Sequence, residues 1–176
     1  MLSVDVSADD VWGDEAAWTD IANKAMQSAA AVTGYAAFDA DVSLLLTDDE
    51  QVQQLNKQWR GKDRPTNVLS FPMLDTEALA LASAPASPAV GEQQRQHSEM
   101  MLGDIALAYE TCAAEADDKR ITLQRHVTHL IIHGALHLLG YDHIVDSDAE
   151  TMERLEIKAL ASLGLPNPYV ANEHEQ

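Results

Sequence analysis

Cysteine is nearly missing from this sequence: Cys112 stands alone in 176 residues. One thiol cannot close an internal disulfide. With no CxxC pair either, any metal site must draw on nitrogen and oxygen ligands. A reducing cytoplasm is the expected compartment. Positive charge is also scarce, since 11 Lys and Arg face 29 Asp and Glu, for a formal net charge of −18. Such a chain is repelled by nucleic acid at long range. An enzyme of nucleic acid with this balance needs a local basic patch or a metal. The acidity fits a salty cytoplasm or a demand for solubility equally well. No run approaches about 18 consecutive apolar residues, so no segment is expected to span a membrane. The opening MLSVDVSADDVWGDE is acidic and has no basic stretch leading into a long apolar run, so it is not expected to be a secretory signal.

Apolar residues make up 46% of the chain, which suits a globule of one domain with a core of its own. LSVDV alternates and reads as a first strand; DVSLLL (41–46), VLSF (68–71) and GDIALA (103–108) read as three more. Helical spacing runs from Asp14 to about Thr33 and stops at Gly34. Thr47 offers a cap to a second helix that carries Val52, Leu55 and Trp59 on one side and ends near Arg60–Gly61. A modest helix follows through YETCAAEA, with DDKRI as a polar connection. Thr122 caps the next helix, and Ser147 a last one that stops at Gly164. Residues 74–99, rich in Ala, Ser, Pro and Gln, read as a flexible loop with room for a short helix in TEALALAS. The helix after Thr122 is unusual. From Val127 to Leu139 it is apolar nearly all round, so it should lie at the centre of the domain.

That helix ends in HGALHLLGYDH, residues 133–143. His133 and His137 stand at i and i+4 and project from one face. Gly140 ends the helix and turns the chain, so His143 can return as a third imidazole. Three neutral nitrogen ligands leave a tetrahedral ion one open position, the pattern of a catalytic zinc site. His126 lies about 10 Å from His133 along the helix, too remote to share the ion. His129 reads as a satisfied core histidine, an outer partner of the site or part of a cleft wall. Asp142 either orients a ligand imidazole or caps the turn. Zinc proteases carry glutamate after the first histidine of this spacing, as general base. Here that position is Gly134. The site then uses metal hydroxide directly or a proton acceptor from the substrate, and Gly134 is expected to leave room beside the metal.

A second patch, LNKQWRGKDRPTNVLSFP (55–72), places Arg60, Lys62 and Arg64 within five residues against Asp63 alone. It is a basic island in an acidic chain, fit for phosphate or simply solvated. Together the two stretches resemble the YbeY endoribonucleases, bacterial zinc-dependent enzymes of ribosomal RNA maturation. His133, Gly134, Leu136, His137, Leu138, Gly140, Tyr141, Asp142 and His143 match that family's H-G-x-L-H-L-x-G-Y-D-H. The segment from Trp59 to Pro72, LGDI (102–105) and LGLPNPY (163–169) are similar to it as well.

The resemblance implies an α+β fold: a small mixed sheet of about four strands, five or so helices, and the histidine helix beneath the sheet. It implies one zinc ion per chain at His133, His137 and His143, with Arg60 as the catalytic arginine. Lys62 and Arg64 would guide the substrate strand. The implied substrate is single-stranded RNA at the 3′ end of small-subunit (16S) ribosomal RNA, with a part in ribosome quality control and the ribosome or its proteins as partners. Two other readings stay open: a zinc peptidase without the usual glutamate base, and a non-catalytic ribosome-assembly factor with a structural metal.

Overall fold

The computed structural model describes residues 1–84 and 100–170. Four strands form one mixed sheet: β1 (Leu2–Ala8), β2 (Ala40–Thr47), β3 (Val68–Pro72) and β4 (Met101–Ala108). Their spatial order is β1-β2-β4-β3, with β1, β2 and β4 parallel and β3 antiparallel to β4. Six α-helices surround it: α1 (Glu15–Thr33), α2 (Asp49–Arg60), α3 (Thr76–Ser83), α4 (Tyr109–Lys119), α5 (Leu123–Leu138) and α6 (Asp146–Ser162). A 3-10 turn, Asp10–Trp12, follows β1. The expected α+β class and mixed sheet are therefore present. The segment TEALALAS is helical as α3, and the rest of the expected 74–99 loop, from 85 to 99, falls outside the described residues.

Caps explain where the helices begin. Asp14 accepts from the Ala16 N–H, and Gly34 ends α1 in the left-handed region. Thr122 accepts from Arg125 N and starts α5 as expected. Two expected caps are replaced. Thr47 is the last residue of β2, and its hydroxyl donates to Asp9 instead, so Asp48 caps α2 by accepting from Gln51 N. α6 starts at Asp146 behind Val145, which makes no side-chain cap, and Ser147 lies inside the first turn. The DDK of the expected polar connection belongs to α4.

The core lies between the sheet and α1, α5 and α6. Leu44, Leu46, Ile105 and Leu107 of the strands and Ile131, Ile132 and Leu136 of α5 are almost wholly buried within it. On the other face α2 covers Leu69 and Ala108 with Val52, and Leu55 packs beside them. Trp59 does not join that stripe and is 66% exposed. Two glycines let α5 settle onto the sheet. A Cβ on Gly103 of β4 would stand 2.4 Å from the Phe71 carbonyl and 2.6 Å from Leu138 Cδ2. A Cβ on Gly134 would meet Ser70 Oγ at 3.0 Å and Ile105 Cδ1 at 3.1 Å. Gly134 therefore faces the sheet. It makes room for β3 and β4, contrary to the expectation of space beside a metal.

Candidate metal centre

The last turn of α5 brings His133 and His137 onto one face, and their rings lie 4.7 Å apart. Gly140, at φ +93°, then turns the chain. His143 follows and stacks on His133 at 5.5 Å with 24° between the planes. One nitrogen from each of the three rings lies within 4.8 Å of the others. The spacing therefore brings together the three residues it predicts. His143 is the most open, with a side chain 54% exposed.

Hydrogen bonds decide which nitrogens face inward. The Tyr141 carbonyl can only accept, so His137 Nδ1 donates to it at 3.0 Å. His133 Nδ1 donates to a carboxylate oxygen of Glu156, which is 1% exposed. In the neutral rings both Nε2 lone pairs are then left to face each other, at 3.1 Å. Burial first, and then the neighbouring His133 and His143, push the His137 imidazole down to about 4. Near neutral pH it stays neutral, with its one proton on Nδ1 and none on Nε2. Facing lone pairs with no proton between them call for a cation, so the donor set fits a single metal ion.

Glu156 was not singled out in the sequence. Burial alone would raise its carboxyl, but hydrogen bonds from His129, His133 and Tyr169 outweigh that and hold it at about 2. One oxygen serves His133; the other accepts from the Tyr169 hydroxyl and lies 3.6 Å from His129 Nε2. Burial and the Glu156 carboxylate push the Tyr169 phenol upward, so it stays a donor. α6 thus supplies an outer carboxylate that fixes the His133 ring. The signal was there: Met152, Glu156, Ala159 and Leu160 form the buried stripe of α6, and Glu156 is the acid within it. His129 is half-buried at the edge of the site, with its ring edge-on to Tyr169. His126 is buried, Nε2 on Glu115 at 3.1 Å. Asp142 caps the turn, accepting from His143 N at 2.7 Å.

Arg60, Lys62 and Arg64 are not drawn into the cluster. All three are exposed, and their side chains make no hydrogen bond or ion pair among the described residues. The loop is held by other groups: Asn56 Nδ2 donates to the Arg64 carbonyl at 2.8 Å, Lys62 N to the Asn56 carbonyl, and Gln53 Nε2 to the Asp63 carboxylate at 3.0 Å. The loop leads into β3, where Asn67 and Val68 line a cavity together with His133.

Fold and site define a class: an α+β protein with a three-histidine cluster that could hold one metal ion at the end of a buried helix. The chain belongs to the YbeY family, whose model, described as Endoribonuclease YbeY, matches residues 4–164. Curated relatives carry the same name. One from Sphingopyxis alaskensis is 49% identical over 175 residues, covering 96% of this chain and 98% of the relative. One from Zymomonas mobilis is 45% identical over 180 residues, covering 99% and 96%. Among solved structures, the solution structure of TM1509 from Thermotoga maritima shares the fold, with a TM-score of 0.56 over the whole of both chains at 19% identity.

Proposed function

We propose that this chain is a metal-dependent endoribonuclease that hydrolyses single-stranded RNA in ribosomal RNA processing. The observation that carries the metal half of this reading is the convergence of the three histidines, with the outer nitrogens of His133 and His137 already committed. The RNA half is supported by membership of the family and by the basic loop. His133, His137 and His143 hold one zinc ion. Once bound, it supplies a Lewis acid for a phosphoryl oxygen and a water of lowered pKa. Glu156 keeps the His133 ring turned toward the ion, and the Tyr141 carbonyl does the same for His137. Arg60 neutralises charge that grows on the phosphate during attack, and Lys62 and Arg64 guide the strand. A free arginine on a loop is suited to closing on a substrate phosphate. The biological substrate is the 3′ end of small-subunit (16S) ribosomal RNA, with a part in ribosome quality control and contact with the ribosome.

The exposure of His143 supports an ion open to substrate rather than a structural one. The direction of Gly134 disfavours a peptidase, since a glutamate base there would be driven into Ser70 and Ile105. Matched single-stranded and duplex RNAs, incubated with the purified protein, test the reading. Only the single strand should be cut, a chelator should stop the reaction, and added zinc should restore it. Cutting that ignores the chelator would sink the proposal.

A further inference from the structure

The face of α5 that bears His133 continues backward through His129 and His126, about 6 and 10 Å along the axis. Two adjoining cavities, of about 170 and 210 Å³, lie against this face and share Lys119, His126, His129 and Tyr169. The smaller reaches His133. The larger is also lined by Leu165, Pro166, Pro168 and Arg125.

Three features of these cavities go together. First, the chain carries 29 Asp and Glu against 11 Lys and Arg, yet among the described residues no carboxylate lines either cavity. Glu115 and Glu156 lie behind the histidines, bonded to them. Second, Lys119 and Arg125 are on the walls, and neither is in an ion pair among the described residues. Third, His126 is 1% exposed, and its Nδ1 has no hydrogen-bond partner although Nε2 meets Glu115. A buried polar atom without a partner is uncommon and asks for one. Cations, an apolar wall with an aromatic edge and an unpaired ring nitrogen, all on the same pair of cavities, match a nucleotide. The phosphate suits the cations, and the base suits the prolines and Tyr169.

We propose that this pair of cavities is a subsite for a nucleotide flanking the scissile phosphate, with its phosphate held by Lys119 and Arg125 and its base beside Tyr169. The proposal rests on the endoribonuclease reading and deepens it. It assigns a path for the strand along α5, from His133 back toward His126. It also gives the acidic chain a second local site for an anion.

The test uses the zinc-loaded full chain and a Lys119→Ala/Arg125→Ala double variant, which leaves the metal site and the core untouched. In steady-state cleavage of a single-stranded oligoribonucleotide, the variant should raise KM about tenfold and keep kcat within about twofold. Its log–log dependence of 1/KM on salt should be shallower by about one to two. In a second arm, adenosine 5′-monophosphate, which has no internal phosphodiester to cut, is titrated by NMR against inorganic phosphate. The nucleotide should shift the His126 and His129 ring signals in the parent but not in the variant. Equal shifts from phosphate alone would overturn the assignment of the base. A parent that cuts RNA while neither arm responds to the double variant overturns the subsite alone. A parent that cuts no RNA, yet shows nucleotide shifts that the variant abolishes, overturns the nuclease reading and supports the subsite.

Discussion

The end of α5 and the loop after α2 carry the two groups of side chains on which the proposed chemistry depends, and they are built in opposite ways. At the end of α5 both helix histidines are fixed by an outer group. Glu156 turns His133, the Tyr141 carbonyl turns His137, and Gly103 and Gly134 let the helix lie close on the sheet. In the loop the backbone is fixed by Asn56 and the Asp63 carboxylate by Gln53, while the side chains of Arg60, Lys62 and Arg64 extend into solvent. The difference follows from what each must bind. A small ion needs donors set beforehand at about 2 Å. A polyanion arrives with its own shape, and long cationic side chains can reach for it. One region should thus answer to changes in metal and stability, the other to changes in rate and salt.

The sharpest separation comes from Arg60→Ala. Cleavage should fall roughly 10²- to 10³-fold, as when a group that stabilises transition-state charge is removed, while metal content and thermal midpoint stay as in the parent. A variant that lost its metal would break the contrast. Gly103→Ala should do the reverse. Its new Cβ would be forced against the Phe71 carbonyl, a backbone atom that cannot swing away. Stability should drop by on the order of 2–3 kcal/mol, read from chemical denaturation, with the seat of α5 disturbed. Glu156→Gln should weaken zinc binding about 10- to 100-fold in a competition titration. The same change should leave RNA binding to the loop alone.

Acid should act on the α5 region too. His137 is held at about 4 against 6.5, and Glu156 at about 2 against 4.5. As pH falls from 6.5 toward 4, the unfolded chain takes up a proton on this histidine that the folded chain refuses. From 4.5 toward 2 the carboxyl does the same. Both effects favour unfolding, so the thermal midpoint of metal-free protein should decline steadily below about pH 6.5. A midpoint unchanged between pH 7 and 4.5 would show that His137 is not held as described.

Much of the centre could be read from residue order because it is local. Three histidines within eleven residues, an N-capping threonine and a terminating glycine are short-range features, and short-range geometry is set by the helix itself. Glu156 and Tyr169 were harder to see because they meet His133 only through the packing of α6 and the C-terminal segment. Pattern shows that α6 has an apolar stripe, but not which neighbour its one acid will meet. Gly134 was misjudged for a related reason. Its spacing compares it with a catalytic glutamate, whereas its direction is decided by the sheet beneath it. Thr47 shows the same competition at small scale, since its hydroxyl is taken by Asp9, distant in sequence, and Asp48 caps α2.

Metal content and RNA cleavage, measured on the same preparations of the parent and of His137→Ala, test the central claim most directly. The parent should hold one zinc ion per chain and cut single-stranded RNA. The variant should hold none and lose on the order of 10³-fold or more in rate, the scale expected when a catalytic metal is removed. A His137→Ala protein that keeps one ion per chain and cleaves at the parent rate would contradict the account.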